Sequence, residues 1–537
     1  MKQSPPLLLS DEQVREFICN GFIRLEADLP AALHKRIDAH VRHAMESEFQ
    51  MGNNVLPRIP EMYEVLESPE VRGALTSILG PRYALHPHRF VHSSTPLDDP
   101  DIELDVSVNA PRMGKGSMAG SGWHQDAQSP LARARHHLPR YALIFYFPHD
   151  TPLEMGPTRL QGGSHLYSHP TNPKGVVLPE GIRAGSMILM HFDIVHAAFP
   201  NRMDVIRYLV KFVFARTQAP TAPTWDAKDG AWHRPANCIP EDDLTVPWTI
   251  IWNWLRGEPS IGGPIREPEH EDIAAVLDAM GSNDETRRLN AIYALAGIGS
   301  EAIPALVAHL EAFAGRRLHE RTLAKDAQGR TIPRDASVPE RRWNERAIVM
   351  EDSAYALGAM GEAAVPALLS LLDHDDPWIK INACFSLGEV GPGAANAVPR
   401  IAAILDHPCQ QVVRQALDAL GAIGCALGPA LPRIERLITT TNPEWQEGLV
   451  IRGWTAQNQV RLNAVYALLN AIDAQTSERE AMESILIASL DDPNGYVADV
   501  ACEALIRMGD EDGNIAVMRH LQRRRWDDTL MGGARIY

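Results

Sequence analysis

The chain has 537 residues, of which 45% are hydrophobic and 22% charged, so it is long enough for roughly three to four domains, or fewer if one is a barrel or a repeat array. Its net charge of −17 argues against nucleic acid as a general partner, because such binding depends on Lys and Arg neutralising phosphates. No apolar run reaches the ~18 residues of a membrane span, and the N-terminus does not resemble a secretory signal, so we expect no membrane association. Six cysteines without CxxC spacing indicate neither a disulfide framework nor a zinc site and favour a cytoplasmic location.

The N-terminal half begins with helical segments and continues with strands. Residues 8–50 have a helical pattern, and Ser10 with Gln13 has the spacing of a capping box at the first helix start. Between residues 80 and 217, short segments rich in β-branched and aromatic residues are bounded by Gly and Pro, which predicts a sandwich or barrel. The clearest of these segments are 140–148, 186–192 and 207–215.

Four polar residues in the strand-rich region have the spacing of a metal and co-substrate site. His124 and Asp126 lie two residues apart, so on a strand both side chains point to one face and can reach one ion. His196, just after a predicted strand, offers a third ligand, and two imidazoles with one carboxylate are typical of non-haem Fe(II) oxygenases. Arg207, eleven residues later, could hold a co-substrate carboxylate. A second His-x-Asp pair at 191–193 leaves chance pairing as the alternative.

The C-terminal half repeats itself. Six segments align without gaps, and three others between them open with an apolar residue followed by proline. The pattern predicts pairs of antiparallel helices, the first ending at Gly and the second beginning at Pro, which must stack to bury their apolar faces. Small Ala and Gly positions would let neighbouring helices approach closely, and an unrelated helical bundle is the alternative. The leucines shared by the six segments are Leu295, Leu357, Leu387, Leu420, Leu468 and Leu505.

Two further segments interrupt or join these regions. Residues 218–266, rich in Pro and Trp, read as a packed connector. Residues 315–346 form an insertion between repeats with nine Lys or Arg and five Asp or Glu. This locally basic insertion is either a solvated loop or a binding element on one face of the repeat array.

Ordered motifs make the N-terminal half resemble the phytanoyl-CoA dioxygenase family of Fe(II)- and 2-oxoglutarate-dependent oxygenases. The sequence WHQD is similar to the family's first ligand motif, and GPTRLQGGSHLY is similar to its Gly-Pro-Thr and Pro-Gly-Ser-His block, with Gly162 in place of the usual proline. The C-terminal repeats resemble HEAT repeats. The similar blocks of the N-terminal half are 21–30, 123–126, 156–167 and 184–207.

The resemblance implies which residues would bind the cofactors. His124, Asp126 and His196 would bind Fe(II), Arg207 would bind the distal carboxylate of 2-oxoglutarate, and O2 would be the oxidant. Related halogenases have a small residue in place of the carboxylate ligand, so Asp126 favours hydroxylation. The reaction implied is oxidative decarboxylation of 2-oxoglutarate to succinate, coupled to attack on a C–H bond.

Several neighbouring positions carry weaker expectations. The family often has a hydroxyl residue two positions after the distal histidine, where this chain has Ala198. The hydroxyl of Thr158 or of Ser186 could compensate. Trp123 and Gln125, which flank His124, could line the pocket.

The sequence thus predicts a double-stranded β-helix (jelly roll) with flanking helices, joined to an all-α HEAT-type solenoid. The expected function is hydroxylation of a small organic substrate, with a protein partner on the HEAT surface as a further expectation. The alternatives are an adaptor protein with a vestigial oxygenase domain and an oxygenase that acts on a protein. The predicted divisions are an oxygenase domain at 8–217, a connector at 218–266, the solenoid at 267–512 and a tail at 513–537.

Overall fold

The structure of the chain is a computed structural model, which describes most of both halves. The helices are α1 (Asp11–Asn20), α2 (Ala31–Ser47), α3 (Val55–Arg58), α4 (Met62–Leu66), α5 (Pro69–Leu79), α6 (Thr245–Leu255), α7 (Ile273–Met280), α8 (Glu285–Ile298), α9 (Ile303–Glu311), α10 (Asp352–Ala359), α11 (Val365–Leu371), α12 (Pro377–Val390), α13 (Val398–Ile404), α14 (Gln410–Ile423), α15 (Leu431–Thr439), α16 (Pro443–Gln446), α17 (Ala456–Ala471), α18 (Arg479–Ser489), α19 (Gly495–Met508) and α20 (Glu511–Arg523). The strands are β1 (Phe22–Leu25), β2 (Ala84–Ser94), β3 (Tyr141–Tyr146), β4 (Thr158–Gln161), β5 (Val176–Val177), β6 (Met187–His191), β7 (His196–Ala198), β8 (Arg207–Ala215), β9 (Ala324–Lys325) and β10 (Thr331–Ile332). The described residues are 4–48, 51–97, 123–126, 134–168, 175–258, 273–315, 324–325, 331–332, 349–446, 455–474 and 477–523.

The N-terminal half forms two facing antiparallel sheets. The larger sheet has the strand order β1-β6-β3-β8-β2, and the smaller has the order β5-β4-β7. His124 adds an isolated bridge to His196 on β7. Side chains such as Phe145, Leu160 and Met190 fill the space between the sheets. The two facing sheets confirm the predicted jelly roll.

Strand β8 is buried on both faces and contributes side chains to two different cores. All nine of its residues are buried. Leu209 and Val213 point into the core between the sheets, whereas Tyr208 belongs to the larger core shared with the helices. Because side chains alternate along a strand, Arg207 and Lys211 share the inner face with Leu209. The strand thereby delivers two cations to the space between the sheets.

The first helix and the connector form one packed unit. The Ser10 side chain accepts from the Gln13 N–H, and the Gln13 side chain accepts from the Ser10 N–H, which confirms the capping box. The Trp225 indole donates to Asp11 at the start of α1 over 2.7 Å. The connector therefore packs against α1 through Trp225 and α6, and residues 259–266 lie outside the described part of the chain.

The C-terminal half is a stack of helix pairs, as the repeats predicted. Helices α8, α10 and α12 are each followed by a 3-10 turn beginning at a glycine, and the next helix carries proline in its first turn. Proline fits there because the first N–H groups of a helix have no partner inside the helix. The final helix, α20, continues through the division predicted at residue 512.

The first helices of successive pairs face the jelly roll. Several of their contacts come from tyrosines at the same position of the repeat, two residues before the shared leucine. At this position Tyr293 lies 2.6 Å from Nδ1 of His137, and Tyr355 donates to the carbonyl of Arg135 over 2.9 Å. Tyr466, further along the solenoid, stacks on His86 with ring centroids 5.5 Å apart. The repeat that organises the solenoid therefore also organises its interface with the N-terminal domain.

Buried charges strengthen this interface. The carboxylate of Glu389, at the end of α12, accepts from Nδ1 of His136 at 2.9 Å and from Nε of Arg140 at 2.8 Å. Burial by itself raises the pKa of Glu389, but Arg140 and His136 outweigh it and bring the pKa to about 2. His88 meets Tyr496 of α19 at 2.7 Å. His86 and His88 on β2, and the adjacent His136 and His137, thus all have partners on the solenoid.

The structure bears on the expectations for the cysteines, for a membrane span and for the basic insertion. None of the six cysteines forms a disulfide in the structure. One helical stretch of the described residues, Glu285–Glu311, has the length and apolar composition to cross a membrane, but it consists of α8, a 3-10 turn and α9. Within the insertion at 315–346, the pairing of β9 with β10 and Gly315 are described, and its other residues lie outside the described part.

Candidate active site

Three of the residues singled out by the sequence converge between the sheets. His124 and His196 exchange both backbone hydrogen bonds, at N–O distances of 3.1 and 2.9 Å, and their ring centroids lie 4.4 Å apart. Asp126 follows two residues later on the same face. One ligand atom from each of the three lies within 4.8 Å of the others. Two imidazole nitrogens and a carboxylate oxygen at this separation fit a single transition-metal ion.

Hydrogen bonding sets the tautomer of His196. Its Nδ1 lies 3.0 Å from the carbonyl oxygen of Ile194. A carbonyl only accepts, so Nδ1 carries the proton and Nε2 keeps its lone pair for a metal. Burial lowers the pKa of His196, which favours the neutral imidazole that metals bind. The ring also packs against the edge of Phe145, with centroids 5.7 Å apart, which restrains its orientation.

Asp126 is paired with a lysine that the sequence reasoning did not single out. Nζ of Lys211 donates to Oδ2 of Asp126 at 2.8 Å, and both side chains are buried. Burial alone raises the pKa of Asp126, but Lys211 and the two imidazoles outweigh it and hold that pKa well below its usual range. The carboxylate is therefore ionised, and Lys211 engages only one of its two oxygens.

Arg207 is buried with unmet hydrogen-bonding capacity. It is 2% exposed and lies opposite Ser94 in the pairing of β8 with β2. The preceding turn is held by the Asn201 amide, which donates to the carbonyls of Ser94 and Val205. Among the described residues, Nε and Nη1 of Arg207 have no hydrogen-bond partner. Burial lowers its pKa to about 10, so it stays charged at neutral pH, and its fork of donors matches a carboxylate.

The structure distinguishes Thr158 from Ser186, the two residues whose hydroxyl was expected to replace the one that Ala198 lacks. Thr158 lies directly across from Ala198 in the pairing of β4 with β7 and is buried. Directly opposite residues have Cβ atoms about 5 Å apart, so the Thr158 hydroxyl lies beside the position in question. Ser186 instead accepts from the Arg183 N–H and from Arg24 in the turn before β6. Thr158 is therefore the hydroxyl in place to act near Ala198.

The expectation that Trp123 and Gln125 line the pocket is wrong. They alternate with His124 and Asp126, so their side chains point the other way. The Gln125 amide donates to the carbonyls of Tyr167 and Asp193, both at 2.9 Å. Trp123 stacks on the guanidinium of Arg159 at 4.5 Å. Both side chains therefore hold segment 123–126 in place through contacts on the face opposite the candidate site.

The second His-x-Asp pair has a structural role that separates it from the site. Asp193 pairs with Arg135 at 3.0 Å, and both side chains are buried. Its carbonyl accepts from Gln125, and the carbonyl of Arg135 accepts from Tyr355 of the solenoid. This series of contacts links α10 to the loop that precedes His196 on β7.

Two site residues escaped the sequence reasoning, namely Lys211 and His92. His92 on β2 lies opposite Leu209 and is influenced electrostatically by Lys211, Asp126 and Arg207. Burial, followed by the charge of Lys211, lowers the pKa of His92 to about 3, so it is neutral. A signal for Lys211 existed: it is the only charge within the apolar run YLVKFVFA, four residues after Arg207 and therefore on the same strand face.

Two imidazoles and one carboxylate that converge between the sheets of a jelly roll form a ligand set typical of non-haem Fe(II) oxygenases. Residues 19–208 match the family model of phytanoyl-CoA dioxygenase. Residues 349–421 and 365–450 match HEAT repeats, and residues 287–312 match the PBS lyase HEAT-like repeat. The N-terminal domain is therefore similar to the phytanoyl-CoA dioxygenase family, and here it is joined to an array that matches HEAT repeats. No curated protein matches the sequence.

The chain is similar to several solved structures, of which three distant ones follow. The 2-oxoglutarate-dependent carbocyclase SnoK from nogalamycin biosynthesis is 16% identical, with 44% of this chain and 91% of SnoK covered and a TM-score of 0.28. EctD from S. alaskensis, with 2-oxoglutarate and 5-hydroxyectoine, is 14% identical, with 44% and 87% covered and a TM-score of 0.28. CytC3 with Fe(II) and 2-oxoglutarate is 14% identical, with 40% and 80% covered and the same TM-score. Likenesses of this size carry no argument about activity.

Proposed function

We propose that the chain uses Fe(II) and 2-oxoglutarate to hydroxylate an unactivated C–H bond of a small organic substrate. In this proposal His124, Asp126 and His196 hold the iron and Arg207 holds the distal carboxylate of 2-oxoglutarate. The observation that carries it is the convergence of three ligand atoms within 4.8 Å, on the same interior that receives a buried arginine with unmet donors. Iron with 2-oxoglutarate and O2 supplies the oxidising chemistry.

The residues of the chain position the reactants. Ile194 and Phe145 hold the His196 ring with its Nε2 lone pair available. Lys211 keeps Asp126 ionised and fixes one of its oxygens. The fork of Arg207 and the hydroxyl of Thr158 orient the co-substrate from two strands. The apolar side chains between the sheets exclude water around these groups.

We assign the solenoid a supporting role for this site. The inner face of its helices is occupied by the chain's own jelly roll, which supports a small-molecule substrate over a protein delivered along that face. An adaptor with a vestigial oxygenase domain has no need of all three ligand groups and the arginine. The proposed divisions are the oxygenase domain at 8–217, the connector at 218–266, the solenoid from 267 and a tail after α20, with a protein partner restricted to the outer helices.

Anaerobic titration of the purified full chain with Fe(II) and then 2-oxoglutarate tests the proposal. We expect a metal-to-ligand charge-transfer band that saturates with one equivalent of iron. His196→Ala should abolish the band. Arg207→Met should weaken 2-oxoglutarate binding by about 100-fold, since a bidentate charged contact worth about 3 kcal/mol is lost.

Two exposed positions provide matched controls for these variants. His43→Ala and Arg436→Met remove the same side-chain types at sites that are 61% and 54% exposed. Both control proteins should titrate like the wild type. If the wild type binds iron without a band, or if His196→Ala leaves the iron content unchanged, the oxygenase proposal is wrong.

A further inference from the structure

Lys211 brings a second buried cation into the site. Its side chain is 2% exposed, and it lies on the inner face of β8, about 13 Å along the strand from Arg207. Among the described residues, Asp126 is its hydrogen-bond partner. An ammonium group has three donors, so two remain for acceptors that the described part of the chain does not supply.

Counted over the described residues, the charges of the site do not balance once the proposed cofactors are in place. Three charged side chains of the described residues line the space between the sheets, namely Asp126, Arg207 and Lys211. The two negative charges of 2-oxoglutarate offset the two of Fe(II), and Asp126 offsets one of the two protein cations. One positive charge remains, and a buried charge without a counter-ion is unfavourable.

We propose that the substrate carries an anionic oxyacid group, such as a carboxylate, phosphate or sulfonate, and that Lys211 binds it. This inference rests on the proposed function of the same site. His92, across from Leu209 on β2, faces the same interior and supplies a neutral donor or acceptor beside the anion. Arg207 is engaged by 2-oxoglutarate, so the two cations serve different anions.

The geometry also limits where on the substrate the reaction occurs. Nζ of Lys211 lies 2.8 Å from Oδ2 of Asp126, which is one of the three proposed metal ligands. An anion bound at Lys211 therefore lies next to the metal site. The hydroxylated carbon is accordingly a few bonds from the anionic group and not at the far end of a long chain.

Anion binding to the iron- and 2-oxoglutarate-loaded protein tests this inference without requiring the true substrate. The probes are the anions acetate and methanesulfonate, and acetamide serves as the uncharged control. Binding of each probe is measured from the change that it causes in the anaerobic charge-transfer band. Saturating 2-oxoglutarate keeps Arg207 occupied. We expect the anions to bind the wild type at least tenfold more tightly than acetamide. Lys211→Met should weaken anion binding by about 10- to 100-fold, and Lys211→Arg should restore most of it.

The outcomes separate this inference from the proposed function. A normal band with no preference for anions, or the same preference in Lys211→Met, identifies Lys211 as a structural counter-ion for Asp126 only and overturns the inference. In that case the oxygenase proposal stands. Absence of the band in the wild type overturns both. Each variant is first titrated with iron and 2-oxoglutarate, so that anion binding is compared only between loaded proteins.

Discussion

At the scale of single residues, the candidate site is distinguished by a buried arginine whose hydrogen-bond donors are not all used. Arg207 has donors without partners among the described residues, and Thr158 places a hydroxyl opposite Ala198. Buried polar groups are normally hydrogen-bonded, so the unmet donors of Arg207 indicate an absent ligand. We expect an anion held by Arg207 to contact the Thr158 hydroxyl as well.

The role of Thr158 can be tested by moving the hydroxyl from one strand to the other. Thr158→Val should weaken 2-oxoglutarate binding by about tenfold, because one hydrogen bond to a charged group is lost. The double variant Thr158→Val with Ala198→Ser should recover most of that affinity, since it returns a hydroxyl to the same place. The measurement is the 2-oxoglutarate titration of the charge-transfer band. Equal affinities in all three proteins would show that the hydroxyl does not contact the co-substrate.

At the scale of elements, close helix packing in the solenoid depends on small residues, as the repeat pattern predicted. A Cβ added at Gly421 of α14 would lie 3.2 Å from Cα of Ala467 on α17. Gly388 of α12 has the same relation to Ala419 of α14. The obstacle in each case is backbone, which cannot rotate away. The helices approach this closely because these positions carry no side chain.

Gly421→Leu should therefore lower the free energy of unfolding by about 2 kcal/mol or more through overpacking. Gly495, the exposed first residue of α19, provides the matched control, because a Cβ there meets nothing within 4 Å. Gly495→Leu should change stability by less than about 0.5 kcal/mol. Urea unfolding followed by circular dichroism gives both values. Similar losses in the two variants would contradict close packing as the cause.

At the scale of the whole molecule, the oxygenase domain and the solenoid share a buried polar interface. Glu389 of α12 pairs with His136 and Arg140, and Tyr355 of α10 donates to the carbonyl of Arg135. Arg135 in turn pairs with Asp193 in the loop before His196. Solenoid and metal site are therefore joined by a short series of direct contacts, so the two halves should unfold together.

Glu389→Gln should lower the free energy of unfolding by about 3 kcal/mol at pH 7, because two buried partners lose their anion. The folded pKa of about 2 lies below the ordinary value of 4.5, so the stabilisation is full above about pH 4.5 and is lost as the pH falls towards 2. The difference between wild type and variant should accordingly shrink between pH 5 and pH 3. Chemical unfolding at several pH values measures it. A difference that is constant or grows on acidification would contradict the ion pair.

The same variant tests the coupling between solenoid and site. Glu389→Gln leaves every proposed ligand in place, so a purely local effect would leave iron and 2-oxoglutarate binding unchanged once the protein is folded. We expect 2-oxoglutarate binding to weaken by a few-fold, because the interface holds the segment that leads to Arg135 and Asp193. Arg436→Met, on the outer part of the solenoid, is the control and should bind like the wild type.

Local patterns in the sequence determined much of this protein. The spacing of His124 and Asp126 places them on one strand face, and the order of helix, glycine and proline defines the repeat unit, because both depend on backbone geometry within a few residues. Ser10 with Gln13 is equally local. Residue chemistry together with the family motifs made His196 and Arg207 candidates, whose roles stay predictions.

Only the tertiary structure decided which groups meet across the chain. Lys211 contacts Asp126 from 85 residues away, and His136 contacts Glu389 from 253 residues away. It also decided that Thr158 and not Ser186 lies beside Ala198, that Gln125 points away from the site, and that the jelly roll covers the inner face of the solenoid. Such contacts depend on strand register and helix stacking, and periodicity within one segment does not specify either between distant segments.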